Sequence, residues 1–131
     1  APEKRLKHLL ELHEVPWRTV PIDEAMMGLF GRVGSALQSV AVFMKRKQAA
    51  SSALARALLA PDEMRLREQL EELGSLLDDE RTRLLEGLPA FDARLEAGDS
   101  TALNDLQHLQ ARLAYFGKWQ AQVREALLSL M

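Results

Sequence analysis

Apolar residues recur along this chain in alternating steps of four and three. Met26, Phe30, Val33, Leu37, Val40 and Met44 keep that step without a break, which places all six on one face of an α-helix. Leu66, Leu70, Leu73 and Leu77 repeat the pattern. Leu106, Leu109, Leu113, Phe116, Val123, Leu127 and Leu130 approximate it.

Prolines and glycines divide these seams. Pro2 opens a short helix over residues 3–14, with Leu6, Leu9, Leu10 and Leu12 as its apolar content. Pro16 and Pro21 bracket a segment expected to be extended, because residues before proline avoid the helical region. A long helix is expected over 22–48, a bend at Ser51-Ser52, and a further helical piece over 53–59. Ala60-Pro61-Asp62-Glu63 starts the next helix, with proline in the first turn and acids at the positive end of the dipole. Gly87-Leu88-Pro89 ends it. A short piece over 90–97 stops at Gly98, and Asp99, Ser100 or Thr101 caps a last helix running nearly to Met131. Three long helices and one shorter N-terminal helix predict an all-α fold, arranged as an antiparallel helical bundle in a single domain over residues 1–131.

Composition agrees with that expectation. The 131 residues are 47% hydrophobic but only 5% aromatic, so the core is mostly Leu, Ala, Val and Met, which suits helix-on-helix packing better than a sheet sandwich. With no cysteine, disulfides, thiolate metal sites and cysteine nucleophiles are excluded. No uninterrupted apolar run reaches the roughly 18–20 residues of a bilayer span, so no transmembrane segment is expected. The opening residues lead into no signal-peptide core, and a cytoplasmic location is expected. The absence of a first Met fits either its removal or a fragment of a longer protein.

Charge is unevenly shared beneath a net value of −2. Residues 1–60 carry 9 Lys and Arg against 5 Asp and Glu, and residues 61–131 carry 8 against 14. Neither half is basic enough to favour nucleic acid. Opposite halves instead favour attraction within the bundle or between subunits. Glu63 with Arg67, Arg67 with Glu71, and Asp79 with Arg83 are spaced four apart and support the helix they share.

Catalytic and metal-binding patterns are missing. His8 and His13 lack the i, i+4 spacing of a helical ligand pair, and no Glu-x-x-His accompanies them or His108. No serine sits in a Gly-x-Ser-x-Gly elbow. Asp78-Asp79-Glu80 reads as a solvated helix end, and Lys45-Arg46-Lys47 as the complement of a helix's negative terminus. No enzyme activity and no cofactor are expected.

The remaining features concern contact. Gly28, Gly31 and Gly34 recur inside the long helix, where each costs about 0.5–1 kcal/mol relative to alanine. Gly31, Ser35 and Ser39 line a small-residue face that admits a close neighbouring backbone. Trp17, between two prolines, is an anchor onto the bundle or onto a partner, and Tyr115 and Trp119 share a face beside the Phe116 seam. Trp17, Gly28, Gly31, Ser35, Tyr115 and Trp119 are therefore the candidate partner-binding residues.

Residues 106–128, with Ala111-Arg112-Leu113-Ala114-Tyr115-Phe116-Gly117-Lys118-Trp119, resemble the last helix of iron–sulfur co-chaperones of the J-protein class. Leu66-Arg67-Glu68-Gln69-Leu70-Glu71-Glu72-Leu73 resembles the helix opening their C-terminal bundle. The likeness consists mainly of leucine and charge, which amphipathic helices share. The His-Pro-Asp tripeptide of a J-domain is absent, so the chain is assigned to no family. The expectation is a non-enzymatic interaction module (regulatory, adaptor or dimerisation domain) that binds another protein or itself. The alternative is a small-molecule or metal sensor with its ligand in the bundle near the histidines.

Overall fold

A computed structural model describes residues 2–12 and 23–131. Every regular element among them is an α-helix: α1 (Pro2–Leu12), α2 (Glu24–Ala49), α3 (Ala53–Leu58), α4 (Ala60–Glu86), α5 (Leu88–Glu96) and α6 (Ala102–Leu130). The fold is an all-α helical bundle, with α2, α4 and α6 as the three long helices. The segment holding His13, Pro16, Trp17 and Pro21 lies outside the described residues.

Local chemistry sets the helix ends. Asp23 caps α2, its carboxylate accepting from the Met26 N–H at 2.9 Å, and Ser52 caps α3 by accepting from the Ala55 N–H at 3.0 Å. Each side chain satisfies one N–H that the first helical turn leaves unpaired. At the end of α5 the Asp99 N–H donates to the Arg94 carbonyl and the Gly98 N–H to the Leu95 carbonyl. This double closure requires a left-handed residue, which Gly98 supplies with φ +74°. Pro89 falls in the first turn of α5, so the helix resumes at Leu88, two residues before the sequence-based boundary.

The chain divides into two compact units. One takes α1, the C-terminal part of α4, α5 and the first half of α6. Its core clusters Leu6, Leu9 and Leu10 with Leu88, Leu106 and Leu109. Leu12, the fourth apolar residue of α1, is exposed. Salt bridges from Arg5 to Asp92 and from Arg81 to Glu3 join side chains within this unit.

The other unit takes α2, α3, the N-terminal part of α4 and the end of α6. It buries Met26, Val33, Val40 and Phe43 of α2, Leu70, Leu73 and Leu77 of α4, and Trp119, Val123, Ala126 and Leu130 of α6. Arg67 donates to the Leu130 carbonyl at 2.8 Å, and Gly74 sits beside Val123. Within this unit, ascending α4 therefore means descending α6.

Three details depart from the sequence pattern. Phe30 is 53% exposed and Phe43, rather than Met44, is buried, so the inner stripe of α2 is rotated from the predicted one. Arg83 pairs with Glu80 at 3.2 Å rather than with Asp79. Arg67 faces Glu63 at 3.5 Å, as the spacing predicts, and also reaches across to α6, a contact the spacing alone does not give.

Candidate interaction surface

The outward side of α2 follows from its composition. Between Ala25 and Met44 the only charged residue is Arg32, so an inner stripe cannot absorb all the apolar residues. Met27 is 54% exposed and Val42 49%. Gly28, Gly31, Gly34 and Ser35 are exposed on the same side. A Cβ built on any of the three glycines would meet nothing within 4 Å. Close packing among the described residues therefore gives no reason for them.

α2 is also long and apolar enough, by length and composition, to cross a membrane, with 22% of its most apolar window buried in the fold. The apolar run is not uninterrupted, because Gly, Ser and Gln dilute it, but they do so without adding charge. The inner side of α2 is occupied by its own unit's core, leaving one open face.

The aromatic candidates separate. Trp119 is 2% exposed and its ring lies 6.3 Å from that of Phe30, tilted by 49°. It is a core residue of its unit, and this corrects its assignment as an anchor for a partner. A large side chain on a helix flanked by two apolar stripes goes inward when both stripes are covered. Tyr115 is half-buried. Trp17 lies outside the described residues. Of the six candidates, the structure brings together Gly28, Gly31 and Ser35.

Beside this face, a cleft of about 410 Å³ opens between α2 and α4, with Val42, Phe43 and Leu66 as apolar lining and Arg46 and Arg65 at its rim. Asp62 accepts from both guanidinium groups, at 3.2 and 3.4 Å. Lys47 pairs with Glu63 at 3.4 Å. The basic run therefore ties the end of α2 to the start of α4, and Lys45 remains exposed.

Sequence reasoning missed one polar hub. Arg94, stacked 5.2 Å from the Phe91 ring centre, donates to Asp99 at 2.8 Å, Asp105 at 2.7 Å and Thr101 at 2.9 Å. Hydrogen bonds from Arg94, then from the Thr101 N–H and hydroxyl, lower the Asp99 carboxyl to about 2. The same contacts, led by Asp105, raise the Arg94 guanidinium above its ordinary value. Its readable signal was Gly98, since the turn that glycine permits folds Asp99 and Thr101 back over Arg94. The hub fastens the α5–α6 turn and presents no open ligand position.

His8 and His108 are exposed, and the His108 ring nitrogen Nδ1 lies 2.9 Å from the Asn104 carbonyl oxygen. Among the described residues, no group of three or more His, Asp or Glu side chains is placed to hold a metal ion. No protein-family model, curated protein or solved structure matches this chain.

Proposed function

We propose that this chain is a non-enzymatic protein–protein interaction module whose working surface is the outward face of α2. One observation carries the reading: a 26-residue helix leaves large apolar side chains and three costly glycines uncovered on one side. Exposed apolar residues scattered singly are ordinary, but Met27 and Val42 here bound a stripe of uncharged, mostly small residues on one helix face, a surface suited to a partner. Burial of that stripe supplies the affinity, and the small residues permit close approach of another backbone.

A photo-crosslinking residue at position 27, compared with one at exposed Glu72 on α4, tests this in cells that produce the chain. The expected result is a protein adduct of defined mass from position 27 alone. Equal or absent adducts from both positions would remove α2 as the working surface.

The α2–α4 cleft supports a second reading, a small-molecule sensor. Its volume is in the range of ligand pockets, and an amphipathic anion would have to displace Asp62 from Arg46 and Arg65 to use its apolar lining. Thermal shifts with short-chain carboxylates that vanish in Arg46→Gln/Arg65→Gln would favour it.

A further inference from the structure

The outward face of α2 is self-complementary. Glu24 and Lys45 lie near its two ends, both exposed, and their numerical midpoint falls between Gly34 and Ser35. About that midpoint Met27 is matched by Val42, Gly28 by Ala41 and Gly31 by Gln38, and all six are exposed. Met27 therefore faces Val42 near the ends, Gly34 and Ser35 flank the midpoint, the glycines leave room for Ala41 and Gln38 opposite them, and an acid at one end answers a base at the other. Steps of three and four keep these positions on one side of the helix.

We propose that α2 binds α2 of a second copy of this chain, the two helices running in opposite directions about a two-fold axis between Gly34 and Ser35. This rests on the interaction-module reading and names its partner. A two-fold interface presents the same patch twice, with residue i against j and j against i, and the charges at the two ends of the α2 stripe select the opposed direction. A parallel pair would set Glu24 against Glu24 and Lys45 against Lys45 and align the two helix dipoles. The opposed pair sets acid against base at both ends and opposes the dipoles. The paired span, from residue 24 to 45, is about 31 Å at 1.5 Å per residue. Arg32, the one charge within it, lies roughly a third of a turn round from the centre of the stripe and stays at the rim. The open space over Gly28, Gly31 and Gly34 then receives the second copy's residues at positions 41, 38 and 35, which gives the three glycines a use.

The chain has no cysteine, so introduced thiols report without background. In the full chain, Ser35→Cys lies beside the axis and is expected to form a disulfide-linked dimer roughly tenfold faster than Glu72→Cys on α4, because pairing raises the local thiol concentration. Met27→Cys is expected to link to Val42→Cys in a mixture but not to itself. The two copies of residue 27 would lie about 22 Å apart along the axis, beyond the roughly 7 Å reach of a disulfide. Sedimentation should show about tenfold weaker self-association for Glu24→Lys, restored by adding Lys45→Glu.

Self-linking of Met27→Cys, or equal rates for Ser35→Cys and Glu72→Cys, would overturn the proposal. A monomer at all concentrations that still gives a position-27 adduct with a different protein would overturn it while leaving the interaction reading standing. A monomer that gives no such adduct and floats with vesicles of phosphatidylcholine and phosphatidylglycerol would overturn both, in favour of a bilayer.

Discussion

α2 and α4 differ by one residue in length, 26 against 27, and both bury a narrow apolar stripe. Outside they diverge. α4 exposes Glu68, Glu71, Glu72 and Asp79 with Met64 as its exposed large apolar residue, whereas α2 exposes Met27, Phe30 and Val42. The inner stripes are interchangeable in kind, since each provides core area. What distinguishes the helices is the half that the fold leaves unused: α4 is finished by water, and α2 is not.

The comparison breaks if the inner sides prove unequal. Trp119→Ala removes the largest buried side chain set against α2 and is expected to cost about 3–5 kcal/mol in urea unfolding. Preserved stability with lost partner binding would return Trp119 to the surface. Met26→Ala on α2 and Leu70→Ala on α4 should each cost about 2–5 kcal/mol. A loss below about 1 kcal/mol at Met26 alone would mean that α2 is not anchored as α4 is.

Outer sides sharpen the contrast with smaller effects. At dilutions where the chain is monomeric, Gly31→Ala should raise stability by about 0.5–1 kcal/mol, because its new methyl meets nothing and the helix gains propensity. At high concentration the same methyl should weaken self-association. If Gly31→Ala instead lowers the stability of the dilute monomer, a neighbour lies over Gly31 within the single chain. Glu72→Ala on α4 should change unfolding by no more than about 0.5 kcal/mol at any concentration.

The smallest effect is electrostatic and lies away from both faces. The Asp99 carboxyl titrates at about 2 in the fold against 3.8 as its ordinary value. Its contribution is therefore complete above the ordinary value and disappears as pH falls from about 4 to about 2. Asp99→Asn should flatten that part of the pH dependence of the urea midpoint. Parallel profiles for the variant and the natural chain would show that the Arg94 hub is energetically idle.

Much of this architecture was legible because short-range chemistry determines it. Asp23, Ser52, Pro61 and Gly98 mark helix ends through caps and dihedral limits that need no distant partner. The seams of α4 and α6 were readable because charged residues border them. In α2 the apolar positions run most of the way round, so periodicity admits several neighbouring stripes. A strict seven-residue step also drifts about 20° per repeat on a straight helix. The stripe drawn through Phe30, Leu37 and Met44 therefore lies to one side of the buried one, which passes through Met26, Val33, Val40 and Phe43. Trp119 escaped for a related reason: which of two apolar stripes is covered depends on tertiary packing. Gly28, Gly31 and Ser35 were recognisable as a small-residue face. That Glu24 and Lys45 lie at the two ends of this face became visible only once positions 27, 28, 31, 34, 35, 38, 41 and 42 proved to be outside.

Neither compact unit is continuous in sequence: the one built on α2 needs residues 118–131 to complete what residues 23–77 begin. During synthesis from the N-terminus, some forty residues of α4, α5 and α6 must emerge before Trp119, Val123 and Leu130 can close that core. Until then α2 is apolar on both sides, with neither its core nor a partner in place. The period of greatest exposure for this helix is thus set by translation time. A pause between codons 77 and 118 would lengthen it without altering a single contact in the finished protein.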